Sequence, residues 1–139
     1  MSSSVYYTFM ESQLFKITQN AVIENKLKEI LILRHLTGNW LLPGGKINKG
    51  ENWLEGLKRE LNEELGISNF KIRAIVDVDS WLENERGYLV ITYLIELSYD
   101  PQIKLSEEHD KYEWVNSKDL EKYQFWHPKI LERIRKALA

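Results

Sequence analysis

An α/β fold, a sandwich in which helices cover a mixed central sheet, is what these 139 residues predict. Three observations carry that prediction. Long β-branched and aliphatic runs fall into two groups, one on either side of a segment whose apolar residues recur at helical spacing. One of those runs, Ile30-Leu31-Ile32-Leu33, is apolar at every position, the pattern of a strand covered on both faces. A second helical segment closes the chain, so each face of the sheet has a helix to pack against.

The elements follow in order. Phe15 to Ile23 and Glu29 to Arg34 read as two strands joined by the polar Glu24-Asn25-Lys26. Leu42-Pro43-Gly44-Gly45 and then Lys46-Ile47-Asn48-Lys49-Gly50-Glu51 read as a glycine-rich loop, the kind that brings backbone close to a ligand. From about Asn52 to Leu65, Trp53, Leu54, Leu57, Leu61 and Leu65 are spaced for an amphipathic helix, and Gly66 follows where a C′ glycine belongs. Asn69 to Trp81 and Tyr88 to Leu97 flank Glu83-Asn84-Glu85-Arg86-Gly87 and form a hairpin. A short helical turn covers Ser117 to Lys122, with Ser117 as N-cap. The last helix opens at His127-Pro128, proline being permitted at N1, and carries Ile130, Leu131, Ile134 and Leu138 on one stripe. Pro43, Pro101 and Pro128 fall at element edges and no repeat or linker interrupts the chain, so residues 1–139 are expected to form one domain.

Composition narrows the function. With 19 Lys+Arg against 21 Asp+Glu the net charge is -2, so there is no global basic field and duplex nucleic acid is not an expected partner. Zero cysteines exclude a disulfide framework, a thiol nucleophile and thiolate metal sites. The N-terminus lacks a basic n-region and an apolar h-region, and no stretch approaches a membrane span, so a cytoplasmic protein without a membrane partner is expected. Tyr6, Tyr7 and Phe9 near the N-terminus offer a pairing surface for a homodimer.

Chemistry concentrates in the helix that follows the glycine-rich segment. Glu60, Glu63 and Glu64 share one face of it, where like charges cost a few tenths of a kcal/mol per pair unless solvent, Arg59 or a cation offsets them. An all-oxygen cluster suits a hard cation such as Mg²⁺ or Mn²⁺. A glutamate-rich face is usually just a solvated one, so the cluster alone does not select a function. The longer string does. Gly45, five residues, Glu51, seven residues and then Arg59-Glu60-Leu61-Asn62-Glu63-Glu64-Leu65-Gly66-Ile67 matches every defined position of the Nudix box. Average residue usage gives such a match a chance probability on the order of 10⁻⁸ in a chain this long. The chain therefore resembles the Nudix hydrolases over Leu42 to Ile67.

That resemblance implies the α/β/α sandwich of the family and hydrolysis of a nucleoside diphosphate linked to a further group, by an attacking water with Mg²⁺ or Mn²⁺. By position, Glu60, Glu63 and Glu64 would be metal ligands, with the Gly44 carbonyl a further one. Arg59 would orient the catalytic carboxylates, and Gly45 and Glu51 would position the loop against the helix. Family members often add a carboxylate from a loop ahead of a late strand that begins with tryptophan. Glu108, six residues before Trp114, takes that place as a metal ligand or general base, with Glu107 as its competitor. His109 reads as a structural hydrogen-bonder, since no second histidine lies at ligand spacing. Gly56 and Leu57 stand where many members carry alanines, and Gly56 reads as close packing against the sheet.

For the substrate, Arg34 and Lys46 are candidate contacts, Arg34 to phosphate, and Trp126 is a candidate for holding a base just ahead of the last helix. Trp40 reads as packing beneath the loop. Signatures of other branches are missing, which leaves a nucleoside triphosphate pyrophosphohydrolase similar to the antimutator branch as the leading reading. ADP-ribose, nucleotide-sugar and dinucleoside polyphosphate hydrolases are the alternatives. A catalytically silent nucleotide-binding module predicts a lost box carboxylate, and none is lost. An enzyme of capped RNA ends would want a basic groove, which the net charge of -2 disfavours.

Overall fold

The apolar run Ile30–Leu33 has no exposed surface on either face, and the arrangement around it explains why. In the computed structural model, which describes residues 11–139, the chain runs β1 (Phe15–Glu24), β2 (Ile30–His35), β3 (Trp40–Leu41), β4 (Gly44–Lys46), α1 (Trp53–Leu65), β5 (Lys71–Glu83), β6 (Arg86–Glu96), β7 (His109–Val115), a 3₁₀ turn (Ser117–Lys122) and α2 (Pro128–Leu138). The strands form one seven-stranded mixed sheet in the order β3-β2-β1-β6-β5, with β4 paired to β1 and β7 to β2. Leu57, Leu61 and Leu65 of α1 pack on Ala21, Ile23, Leu31, Leu33 and Ile95 on one face. Ile130, Ile134 and Ala137 of α2 pack on Val22, Ile30 and Ile32 on the other. The predicted sandwich is therefore the observed one. Among the described residues no helix is long and apolar enough to cross a membrane.

The first two strands pair only where they meet, at Glu24 and Ile30. Asn25 builds that corner, its side-chain oxygen accepting from the amides of Leu27 and Glu29 at 3.0 and 2.9 Å. Beyond the corner the strands diverge: β1 runs parallel to β6 from Phe15↔Gly87 to Glu24↔Glu96, while β2 turns to β7 and β3. The hairpin β5–β6 closes through Asn84 and Glu85, both left-handed (φ 51° and 66°), the geometry of a two-residue type I′ turn. Its strands therefore extend two residues further toward the tip than the residue pattern suggested. Helix α1 is capped at both ends. Asn52 accepts from the Glu55 amide at 2.9 Å while Glu55 accepts from the Asn52 amide, and Gly66 at φ 71° donates to Asn62.

Three readings are corrected. The segment read as pure loop contains β4, and β3 precedes it; glycine content suggested a turn, yet glycine is what lets β4 press onto β1. A Cβ on Gly44 (φ +146°) would stand 1.9 Å from the Gln19 carbonyl oxygen. The late strand begins at His109, not at Trp114, because its pairing with β2 starts at His35. The 3₁₀ turn is capped by Asn116, whose side-chain oxygen accepts from the Lys118 amide at 3.1 Å, rather than by Ser117.

Ile134 of α2 is fully buried against the sheet whereas Leu27 is 77% exposed in the β1–β2 corner. Ile134→Ala is expected to lower unfolding free energy by about 2–5 kcal/mol in urea titrations, and Leu27→Ala to change it by no more than about 0.5 kcal/mol.

Candidate active site

Arg59 organises the carboxylates that the helix spacing collects. Its Nε and one Nη grip both oxygens of Glu51, at 3.0 and 2.7 Å. The same fork donates to the Lys46 carbonyl at 2.9 Å, and its second Nη reaches Glu60 at 2.9 Å and Glu63 at 3.3 Å. The Glu51 carboxylate also accepts from the Asn48 amide at 2.7 Å. Arg59 first, and that amide second, hold the Glu51 acid down to about 2, and the same pairing raises Arg59 further above its ordinary range. The sequence placed Glu51 as a tie between loop and helix, and this network is such a tie. Gly56 sits under it: a Cβ there would be 3.1 Å from Glu51 Oε1 and 3.5 Å from Gln19 Oε1 of β1, the close approach that its position in the helix suggested.

Glu64 lies on the other side of the cluster and is only 6% exposed. It accepts from the Gly44 amide at 3.4 Å, so Gly44 meets the cluster through its N–H. Burial first, and the Glu60 charge second, push the Glu64 carboxyl up to about 9; Glu108 adds to the push. Glu64 thus carries a proton at neutral pH. A buried carboxyl without a cationic partner, facing further carboxylates, has the donor chemistry to hold a hard divalent cation in place of that proton. Among the described residues no three acidic or histidine side chains stand ready in coordinating positions; Arg59 holds Glu60 and Glu63. Backbone makes room for this: a Cβ at Gly45 would lie 2.4 Å from the Glu60 carboxylate.

Beside the cluster opens a cleft of about 690 Å³, within the usual size for a small-molecule site. Gly44 and Gly45 form its rim on the carboxylate side, Thr18, Asn20 and Val90 its floor, and residues at the start of α2 its far wall. Trp126 stands there 53% exposed, its amide donating to the Trp40 carbonyl at 2.8 Å and its ring edge-on to His35 at 5.1 Å. Trp40 is buried, as expected, with its ring edge-on to Tyr123. His127 caps α2 by accepting from the Lys129 amide at 3.1 Å.

The structure thus gathers Gly44, Gly45, Glu51, Arg59, Glu60, Glu63 and Glu64 around the rim and sets Trp126 across the cleft. Of the two acids ahead of β7, Glu108 is the one whose charge bears on Glu64. Arg34 is turned elsewhere, bonded through two nitrogens to Asp110 at 2.9 Å each, and does not line the cleft. Lys46 meets the network only through its carbonyl. His109 is buried, and its Nδ1 has no hydrogen-bond partner. The proposed pairing segment of Tyr6, Tyr7 and Phe9 lies outside the described residues.

Sequence reasoning missed Trp81, His35 and Arg133 of the cleft. Trp81 stacks on Tyr88 at 5.7 Å with the Lys129 ammonium over its ring. Arg133, buried in α2, stands 3.6 Å from Asp79 and 3.8 Å from Asp77 with its Nε unpartnered. A signal was present: Asp77, Asp79 and Trp81 alternate on β5, while Lys129, Arg133 and Lys136 recur at helical spacing.

Comparison with known proteins bears on the chain as a whole. The NUDIX domain model matches residues 14–134. The chain is 32% identical over 99 residues to the asymmetrical bis(5'-nucleosyl)-tetraphosphatase of Rattus norvegicus, 67% of either chain. It is 30% identical over 95 residues to the nucleoside triphosphatase NudI of Escherichia coli, 62% of this chain and 67% of that one. Among solved structures, a MutT protein from Methanosarcina mazei Go1 superposes with a TM-score of 0.74 at 28% identity, covering 91% of this chain and 94% of its own. A C. elegans Ap4A hydrolase shares the fold with a TM-score of 0.73 at 23% identity, covering 87% and 93%.

Because Glu64 must bind a proton on folding, its stabilising share is complete below the ordinary 4.5 and is lost as pH rises toward about 9. Metal-free Glu64→Gln protein lacks that penalty. Its Tm is expected to exceed the parent's by several degrees, the gap widening from pH 5 to about pH 8. Added Mg²⁺ should raise the parent's Tm and leave the variant's nearly unchanged; calorimetric scans across pH read both, and a pH-independent gap would contradict the assignment.

Proposed function

The chain belongs to the Nudix family of pyrophosphohydrolases acting on phosphorus-containing anhydrides, and on that premise we propose that it cleaves a nucleoside triphosphate, oxidised forms included. We propose residues 1–139 as a single domain for this work, with Mg²⁺ or Mn²⁺ as the cation. The observation that carries the reading is Glu64, a buried proton-bearing carboxyl under the Gly44 amide at the rim of a nucleotide-sized cleft. Glu60, Glu63 and Glu64 would hold the cation, with the Gly44 carbonyl beside them. When bound, it supplies Lewis acidity to the phosphoryl oxygens and to the attacking water.

The chain's own groups do the rest. Arg59 keeps Glu60 and Glu63 aimed along one helix face and, through Glu51 and the Lys46 carbonyl, holds the rim at a fixed distance from that face. Such positioning is much of what phosphoryl transfer asks of a protein. Glu108, exposed just ahead of β7, takes the proton from the attacking water at a carboxylate oxygen. Trp126 offers a ring face to the base, and its amide bond to the Trp40 carbonyl holds the backbone that carries that ring. A second reading, a dinucleoside polyphosphate hydrolase, is favoured by the rat relative's tetraphosphatase activity.

The test is release of phosphate and pyrophosphate with Mg²⁺ across nucleoside triphosphates, oxidised dGTP, ADP-ribose, nucleotide sugars and dinucleoside polyphosphates. Glu63→Gln and Glu64→Gln are each expected to lower kcat on the preferred class by about 100-fold or more. Nucleotide binding without turnover in the parent protein would make the chain a silent binding module instead.

A further inference from the structure

The cleft floor continues beyond the cleft. Asn20 and Thr18 line it from β1, and strand alternation puts Lys16 on the same face. On β4 a Cβ at Gly45 would point at Glu60, so Gly44 and Lys46 face the other way, toward the cleft. Gly44 stands opposite Asn20, and Lys46 opposite Thr18. On β6, Val90 lies beside Thr18 and Tyr88 beside Lys16, and Arg86 is the next residue on that face. Lys16, Lys46 and Arg86 are all exposed and form a row past the end of the floor.

Among the described residues these cations lack counter-charges. Arg34, Arg59, Arg73, Arg133 and Arg135 each stand within ion-pairing distance of a carboxylate; among the described residues Arg86 has none, nor do Lys16 and Lys46. Glu83 lies across the hairpin from Arg86 and Glu85 borders the same hollow, yet neither pairs with it. The Lys46 ammonium first, with partial desolvation and the Arg86 charge adding to it, holds Lys16 below its usual range. Like charges gathered without a partner are relieved by an anion. Next to them lies a hollow of about 380 Å³ bounded by Leu14, Phe15, Lys16, Arg86, Gly87 and Tyr88. Tyr88 lines that hollow and stacks on Trp81, which lines the cleft.

We propose that Lys16, Lys46 and Arg86 form a second anion subsite, which takes the distal phosphates of a substrate whose phosphate chain is longer than a triphosphate. This rests on the cleft being the nucleotide site. The chain would run from the rim at Gly44 past Lys46 to the hollow at Tyr88. Lys16 stands four residues from Asn20 along β1, roughly 13 Å at the strand rise, a span matched by several phosphates in line. The role of the subsite is to read phosphate number: it adds affinity for the long chain and gives little to a short one.

Two readouts test it on the full chain. Calorimetric binding of inorganic tripolyphosphate, without divalent cation, is expected to weaken about tenfold or more in Lys16→Gln/Arg86→Gln and to lose part of its salt dependence, while Lys16→Arg/Arg86→Lys keeps the parent's affinity. In turnover, the ratio of kcat/KM for a dinucleoside pentaphosphate to that for a nucleoside triphosphate is expected to fall by a similar factor in the Gln pair. Equal tripolyphosphate binding by parent and Gln pair, or an unchanged ratio in turnover, overturns the subsite. A parent protein that hydrolyses no nucleotide but binds tripolyphosphate more tightly than the Gln pair would sink the hydrolase reading and leave the subsite standing.

Discussion

Everything at the rim depends on one guanidinium. Three glutamates within five positions of one helix repel each other, and the segment before the helix has its own backbone groups to satisfy. Arg59 answers both needs, because its planar fork can bond two oxygens of Glu51 and still serve Glu60, Glu63 and the Lys46 carbonyl. A lysine, with a point charge and no fork, could not span those acceptors. By fixing where the first turn of α1 sits relative to β4, Arg59 also decides which carboxylate goes without a counter-charge. Glu51, gripped on both oxygens, stays ionised far into acid; Glu64, thirteen residues on and out of reach, is driven the other way. The same side-chain chemistry takes opposite protonation states because one guanidinium is near and the other side of the helix is dry.

That divided helix needs a partner surface, and the sheet supplies it by splitting. Because β1 and β2 separate after a single pair, β4 can lie beside β1, which also carries β6. Gly44 then approaches β1 so closely that no side chain would fit, and this brings its amide under Glu64 while its other side faces the cleft. The far wall is set by a separate chain of contacts. Trp40 exchanges backbone bonds with the segment from Gln124 to Trp126, and Asp77 and Asp79 of β5 dock Lys129, Arg133 and Lys136 of α2. Rim and wall are thus positioned by different strands, and the cleft is the gap between them.

Legibility in the sequence followed the range of the interaction. The buried strand Ile30–Leu33, the capped helix α1 and the Arg59 cluster are encoded within a few residues or one helix turn of each other, so spacing alone located them. The tie from Arg59 to Glu51 spans eight residues and was readable as a motif position. Arg34 to Asp110 spans 76 residues, and nothing local distinguishes an arginine waiting for phosphate from one already paired across two strands. Trp81 and Arg133 were hidden for the same reason, since their neighbourhood depends on the register of β5 against β6 and on how α2 docks there. The glycines of β4 misled in another way: composition says turn, but the backbone there is extended because a neighbouring strand comes too close for any larger residue.

Net charge concealed the remaining feature. A total of -2 averages over an acidic rim, where Glu51, Glu60, Glu63 and Glu64 meet, and a cationic row at Lys16, Lys46 and Arg86 a few residues away. The alternation of β4 keeps the two apart: Gly45 faces Glu60 while Lys46 faces the other side, so a three-residue strand separates fields of opposite sign. For a polyanion approaching the bare protein, the rim repels and the row attracts. A divalent cation at the rim would remove the repulsion there, leaving a continuous path on which phosphate is welcome at each step. An electrostatic design of that kind ties acceptance of a phosphate chain at the rim to the presence of the cation, and leaves its far end to the chain's own lysines and arginine.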